Sequence, residues 1–122
     1  MHPNQVTSVL AREKALLEQV LNLAECQIAL LESGRAEDLE ILLSLREGPL
    51  SEVAVIEETV AAEVSHIQAD PMVPTATLNE LQSLNLAILG LADRIAQLDQ
   101  EAEYLAEEYE HGIPRKNRDL IS

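Results

Sequence analysis

The sequence predicts an all-α protein: an elongated antiparallel bundle of three long amphipathic helices with coiled-coil character. Three observations carry that prediction. The composition is that of a helix former, with 21 leucines in 122 residues, abundant alanine and glutamate, and neither phenylalanine nor tryptophan. Aliphatic residues recur at seven-residue spacing along most of the chain. Two stretches, ESGRAED at 32–38 and ADPMVPTAT at 69–77, carry the glycine, proline and small polar residues of turns and divide the rest in three.

The first helix is expected over residues 7–32. Leu10, Leu17, Ala24 and Leu31 repeat at seven, and Val9, Leu16, Leu23 and Leu30 repeat beside them. Val6, Val20, Leu21 and Ile28 widen this face beyond a coiled-coil seam, so the helix should touch two neighbours. Gly34 suits the left-handed residue after a helix C-terminus, and Glu37–Asp38 suits the first turn of the next helix.

The second helix is expected over 36–68. Leu39, Leu43, Leu50, Val53, Val60, Val64 and Ile67 follow alternating four–three spacing, with Arg46 and Glu57 filling the gaps. Gly48-Pro49 falls inside this pattern and predicts a kink. The apolar stripe keeps step across it, which favours one bent helix over two.

Thr77 with Glu80 reads as a capping box opening the third helix, over 78–110. Its stripe runs through Leu81, Leu84, Ile88, Leu91, Ile95, Leu98, Ala102 and Leu105 without a charged interruption. Gly112 and Pro114 end it, and residues 112–122 form a tail expected to be flexible, so that one helical domain spans 1–122. Within this helix, LNLAILGLA at 84–92 holds one polar side chain in nine. Leu86 and Leu89 lie off the main stripe, so two partner helices from the same chain leave apolar surface uncovered there.

Charge and composition exclude several function classes. Eight basic residues face 22 acidic ones, for a formal charge of −14, and no Lys or Arg occurs between Glu47 and Asp93. Such a surface repels nucleic acid and anionic lipid. Aromatic residues are limited to Tyr104 and Tyr109, too few for base-stacking platforms. No apolar run approaches the roughly 20 residues of a membrane span. The lone Cys26 excludes an internal disulfide, and MHPNQVTSVL lacks the regions of a signal peptide, so a cytoplasmic location is expected.

Motifs with chemical potential are few. Glu63…His66 and Glu108…His111 are Glu-x-x-His pairs of the kind that build di-iron sites in four-helix bundles. Here they fall near opposite ends of an antiparallel pair, where solvated Glu and His are common, and no metal is expected. His66 has no lysine nearby to steady a phosphoryl group, and the acidic Glu25 beside Cys26 works against a thiolate. Glu13, Arg46 and Glu57 occupy stripe positions, either as buried charges that fix register or as stripe-edge residues with solvated heads. With no nucleophile–base constellation and no phosphate loop, neither catalytic residues nor a cofactor is expected.

What remains is an acidic helical chain with more apolar surface than it can bury, the mark of an interaction site. LLESGRAEDLEILLSLREGPL at 30–50 resembles the turn between the first two helices of flagellar export chaperones of the FlgN type. LNELQSLNLAILGLADRI at 78–95 is similar to that family's third helix, with Leu-Asn pairs at 78–79 and 84–85, and FliT-type chaperones share the general design. Gly48-Pro49 departs from the family pattern, which runs helix formers there. The resemblance implies a cytoplasmic chaperone that binds helical C-terminal segments of hook-associated proteins and brings them to the type III export apparatus. The stripe itself suggests helix 3 as the protein-binding element, through Leu81, Leu84, Leu86, Ile88, Leu89, Leu91, Ile95, Leu98 and Leu105. The alternative is a self-associating coiled-coil adaptor, with homodimerisation through the N-terminal half of helix 3.

Overall fold

The computed structural model describes residues 1–110, with side chains described through Glu108. Three helices follow one another: α1 at Pro3–Glu32, α2 at Leu39–Ala69 and α3 at Thr75–Glu110, with a 3-10 turn at Ala36–Asp38 leading into α2. The expected end of helix 3 at Gly112 and Pro114, and the tail, lie outside the described residues.

α1 opens four residues earlier than expected, at Pro3, because Pro3 and His2 together make a start signal. Proline needs no hydrogen-bond acceptor at the first helical position. The His2 imidazole Nδ1 accepts from the Asn4 N–H at 3.1 Å, and Gln5 Oε1 accepts from the His2 N–H at 2.8 Å. This is a capping box with histidine in the usual serine or threonine place. The C-terminus closes as a Schellman motif: Arg35 N–H donates to Leu30 O at 2.9 Å, Gly34 N–H donates to Leu31 O at 3.2 Å, and Gly34 sits at φ 73°.

α2 runs unbroken through Pro49. Proline lacks the N–H that would bond to the carbonyl of Leu45, yet the helix continues, with Arg46 before it and Val53 after it both buried. Between α2 and α3, Asp70 Oδ1 accepts from the Met72 N–H at 2.9 Å, folding a tight turn. α3 begins at Thr75, directly after Pro74, so Thr77 lies inside the first turn and not at the expected cap. The rigid Pro74 ends the turn earlier than the Thr77–Glu80 pair suggests.

α1 carries nearly all of the interhelical packing, with α2 and α3 both laid against it. The main core joins Val6, Leu10, Leu16, Leu17 and Val20 of α1 to Val53, Ile56, Val60 and Ile67 of α2 and Leu81, Ile88 and Ile95 of α3. A second cluster joins Leu31 to Ala102 and Leu105. The heptad row Leu10, Leu17, Ala24 and Leu31 is buried throughout, as a helix serving two neighbours requires. Cross-links run in opposite order along α1 and α2, Arg12 meeting Glu52 while Gln27 meets Arg46.

Gly48 and Gly90 lie inside helices, and an added Cβ at either meets nothing within 4 Å. Gly90→Ala is expected to raise stability by about 0.5–1 kcal/mol, because alanine loses less backbone entropy in a helix. Gly48 precedes Pro49, whose Cδ crowds a Cβ at residue 48 in helical backbone, so Gly48→Ala is expected to gain less, and thermal melts of the two variants check both.

Candidate functional site

The nine residues assigned to partner binding on α3 divide into three groups. Leu81, Ile88, Ile95, Leu98 and Leu105 are buried against the rest of the chain. Leu84 and Leu91 are half-buried at the edge of the main core. Leu86 and Leu89 stand 63% and 65% exposed, three residues apart and on one side of the helix. Five members of the stripe are therefore spent on the fold, and the free apolar surface of α3 centres on Leu86 and Leu89.

α2 bears a larger exposed apolar surface, which the stripe alone does not reveal. Its buried line is Arg46, Val53, Ile56, Val60 and Ile67, and Leu43 and Leu50 lie to one side of it. Leu43 and Leu50 are exposed and Leu39 is half-buried. Ile41, Leu45 and Val55 are exposed on a further face. The signal was present in the sequence: these three, like Leu86 and Leu89, fall off the helix's own four–three spacing. Leu45 and Pro49 also meet Leu23 of α1 in a shallow depression of about 320 Å³.

Between α2 and α3, near the C-terminus of α1, lies an open groove of about 500 Å³ with Leu31, Leu39, Leu43, Ala102 and Ala106 in its walls. Arg46 and Asp99 bridge the two walls. The guanidinium donates to both Asp99 oxygens at 2.8 and 2.9 Å and to Gln27 Oε1 at 2.9 Å, so one side chain ties all three helices. Arg46 is buried while Asp99 remains 42% exposed. The hydrogen bonds to Asp99 hold the Arg46 pKa above its ordinary value against the opposing effect of burial. Arg46 thus takes the buried, register-fixing role open to it from its stripe position.

Glu13 is also buried, only 3% exposed, and faces Glu57 of α2. Burial first, then the hydrogen bond with Glu57 and its negative charge, push the Glu13 carboxyl up to about 7. A carboxylic acid, not a carboxylate, is the form this core favours. Glu57 itself stays exposed, at the stripe edge.

The remaining motifs sit apart. Glu63 Oε2 lies 3.4 Å from the Met1 amino nitrogen, and His66 is exposed near the end of α2. His111 lies outside the described residues. Among the described residues, no group of three or more His, Cys, Asp or Glu is placed to hold a metal ion. Cys26 is an exposed free thiol. No helix among the described residues is long and apolar enough to cross a membrane.

No protein-family model, curated protein or solved structure matches this chain.

Proposed function

We propose that this chain is a non-catalytic chaperone for helical protein segments, of the flagellar export kind that FlgN-type proteins exemplify. In this reading it works in the cytoplasm, holds helical C-terminal segments of hook-associated proteins unpolymerised, and delivers them to the type III export apparatus. The observation that carries the reading is the exposed pair Leu86 and Leu89 on an otherwise acidic three-helix framework. Removing roughly 300 Å² of apolar area from water there is worth about 7 kcal/mol before association costs. The Leu/Glu and turn patterns at 30–50 and 78–95 support the family assignment.

Self-association through the same residues is the second reading, favoured by the heptad spacing of the stripes. A charge of −14 on each copy opposes it.

The export role is tested by deleting the gene in its source organism and measuring hook-associated proteins in the medium. The chaperone reading expects their release to fall while flagellin synthesis continues. Unchanged release would remove the export role.

A further inference from the structure

We propose that the groove between the N-terminal half of α2 and the C-terminal half of α3 is a second docking seat, which takes one amphipathic helix with an aliphatic face and basic flanks. This seat does not depend on the export reading. Leu86 lies thirteen residues before Asp99 in α3, about 20 Å along the helix, so the two surfaces can be separated by substitution.

The first support is an exposed apolar edge on α2. Leu43 and Leu50, seven residues apart, are exposed, while Leu39 is half-buried against the Leu31–Ala102–Leu105 cluster. α2 and α3 both pack on α1 and leave this side open, the layout of a four-helix bundle short of one helix.

The second support is shape. On the α3 side Ala102 is buried beneath the groove and the half-buried Ala106 follows one turn on, so an incoming backbone meets a small side chain there and can come close. The Arg46–Asp99 bridge crosses from wall to wall and marks one end of the groove. From Leu39 to Arg46 the seat spans about 10 Å, two turns of helix.

Charge selects the occupant. Glu40 and Glu47 stand one turn on either side of Leu43, and Glu103 and Glu107 follow Asp99 on successive turns of α3; all four are exposed. Arg46, the cation of the groove lining, is already held by Asp99. Lysine or arginine flanks on an incoming helix complement these rims. A second copy of this chain, itself at −14, is repelled by them.

The test uses the full chain and two labelled synthetic peptides of roughly 18 residues with the same leucine stripe, one flanked by lysine and one by glutamate. Fluorescence anisotropy is expected to show the lysine peptide binding at least about tenfold tighter than the glutamate peptide, with the difference shrinking in high salt. Leu43→Glu, at an already exposed position, should weaken the lysine peptide by about tenfold or more, while Leu86→Asp should leave it within about twofold. Charge reversal at Glu40 and Glu103, both on the surface, should invert the peptide preference and serves as a second probe of the same seat. Equal affinity for the two peptides, or loss on Leu86→Asp in place of Leu43→Glu, overturns the proposal. So does a homodimer that Leu43→Glu dissociates, because the occupant is then a second copy. If the lysine peptide binds at Leu43 while hook-associated segments bind nowhere, the seat stands and the export reading falls. The converse result removes the seat alone.

Discussion

Replacing Arg46 with alanine is expected to lower the unfolding free energy by about 2–4 kcal/mol. The guanidinium is the point where three helices meet, bonded to Asp99 on α3 and Gln27 on α1 from its place on α2. α2 and α3 are both packed on α1 and share little contact of their own, so this bridge is a direct tie between them and sets the width of the groove. Alanine removes the tie and the packed aliphatic stem together. The 42% exposure of Asp99 lets its carboxylate rehydrate, which keeps the cost below that of stranding a fully buried charge. Arg46→Lys should recover only part of the loss, since an ammonium cannot make the paired bonds of the planar fork. Urea unfolding followed by circular dichroism measures the change. A double-mutant cycle with Asp99→Ala should return a coupling of about 1–2 kcal/mol, and a coupling of zero would show that the bridge contributes nothing.

The second large effect is a loss of stability as pH rises. Glu13 has its folded-state pKa raised from 4.5 to about 7 by burial and by Glu57. Between those values the folded chain binds a proton that the unfolded chain releases, so the stabilisation is complete below about 4.5 and is lost as pH rises through about 7. The full span corresponds to about 3 kcal/mol. Relief of the chain's net negative charge on acidification acts in the same direction, so the wild-type slope alone does not isolate Glu13. Glu13→Gln does. Its amide fills nearly the same space without titrating, so the variant should be more stable than wild type at pH 8, by about 1–3 kcal/mol, and close to it at pH 5. Equal wild-type and variant stability at pH 8 would show that Glu13 is not a buried acid.

The heptad rows of α1 were legible because burial on two sides leaves a wide periodic face, and Gly34 was legible because a left-handed residue after a helix nearly requires glycine. The start of α1 is written in Pro3, but histidine is a rare cap, so His2 carries little signal in the sequence. At Pro49 the apolar stripe that keeps step across the proline favours a single helix, and α2 is one continuous helix. Periodicity tells which face a residue occupies and says nothing of what stands opposite. Arg46 and Glu13 were therefore visible as stripe positions, but Asp99, 53 residues away from Arg46, was not visible as a partner. The same limit governs the site. Leu86 and Leu89 were readable as surplus because they leave their helix's stripe. Leu43 and Leu50 looked like core in sequence and are exposed because α2 turns its Arg46–Val53–Val60 line toward the other helices, which leaves Leu43 in the groove wall.

The central claim is that this acidic bundle holds a helical client at the exposed surface of α3, and a titration tests it most directly. The purified chain and its Leu86→Asp variant are each titrated with a C-terminal helical segment of a hook-associated protein, with circular dichroism recorded alongside. Wild type should bind saturably with a Kd of about 10 μM or tighter, and Leu86→Asp should bind at least about tenfold more weakly while keeping its helicity and melting temperature. A folded wild-type chain that shows no binding at about 100 μM segment, or a Leu86→Asp variant that binds as wild type does, would contradict the claim.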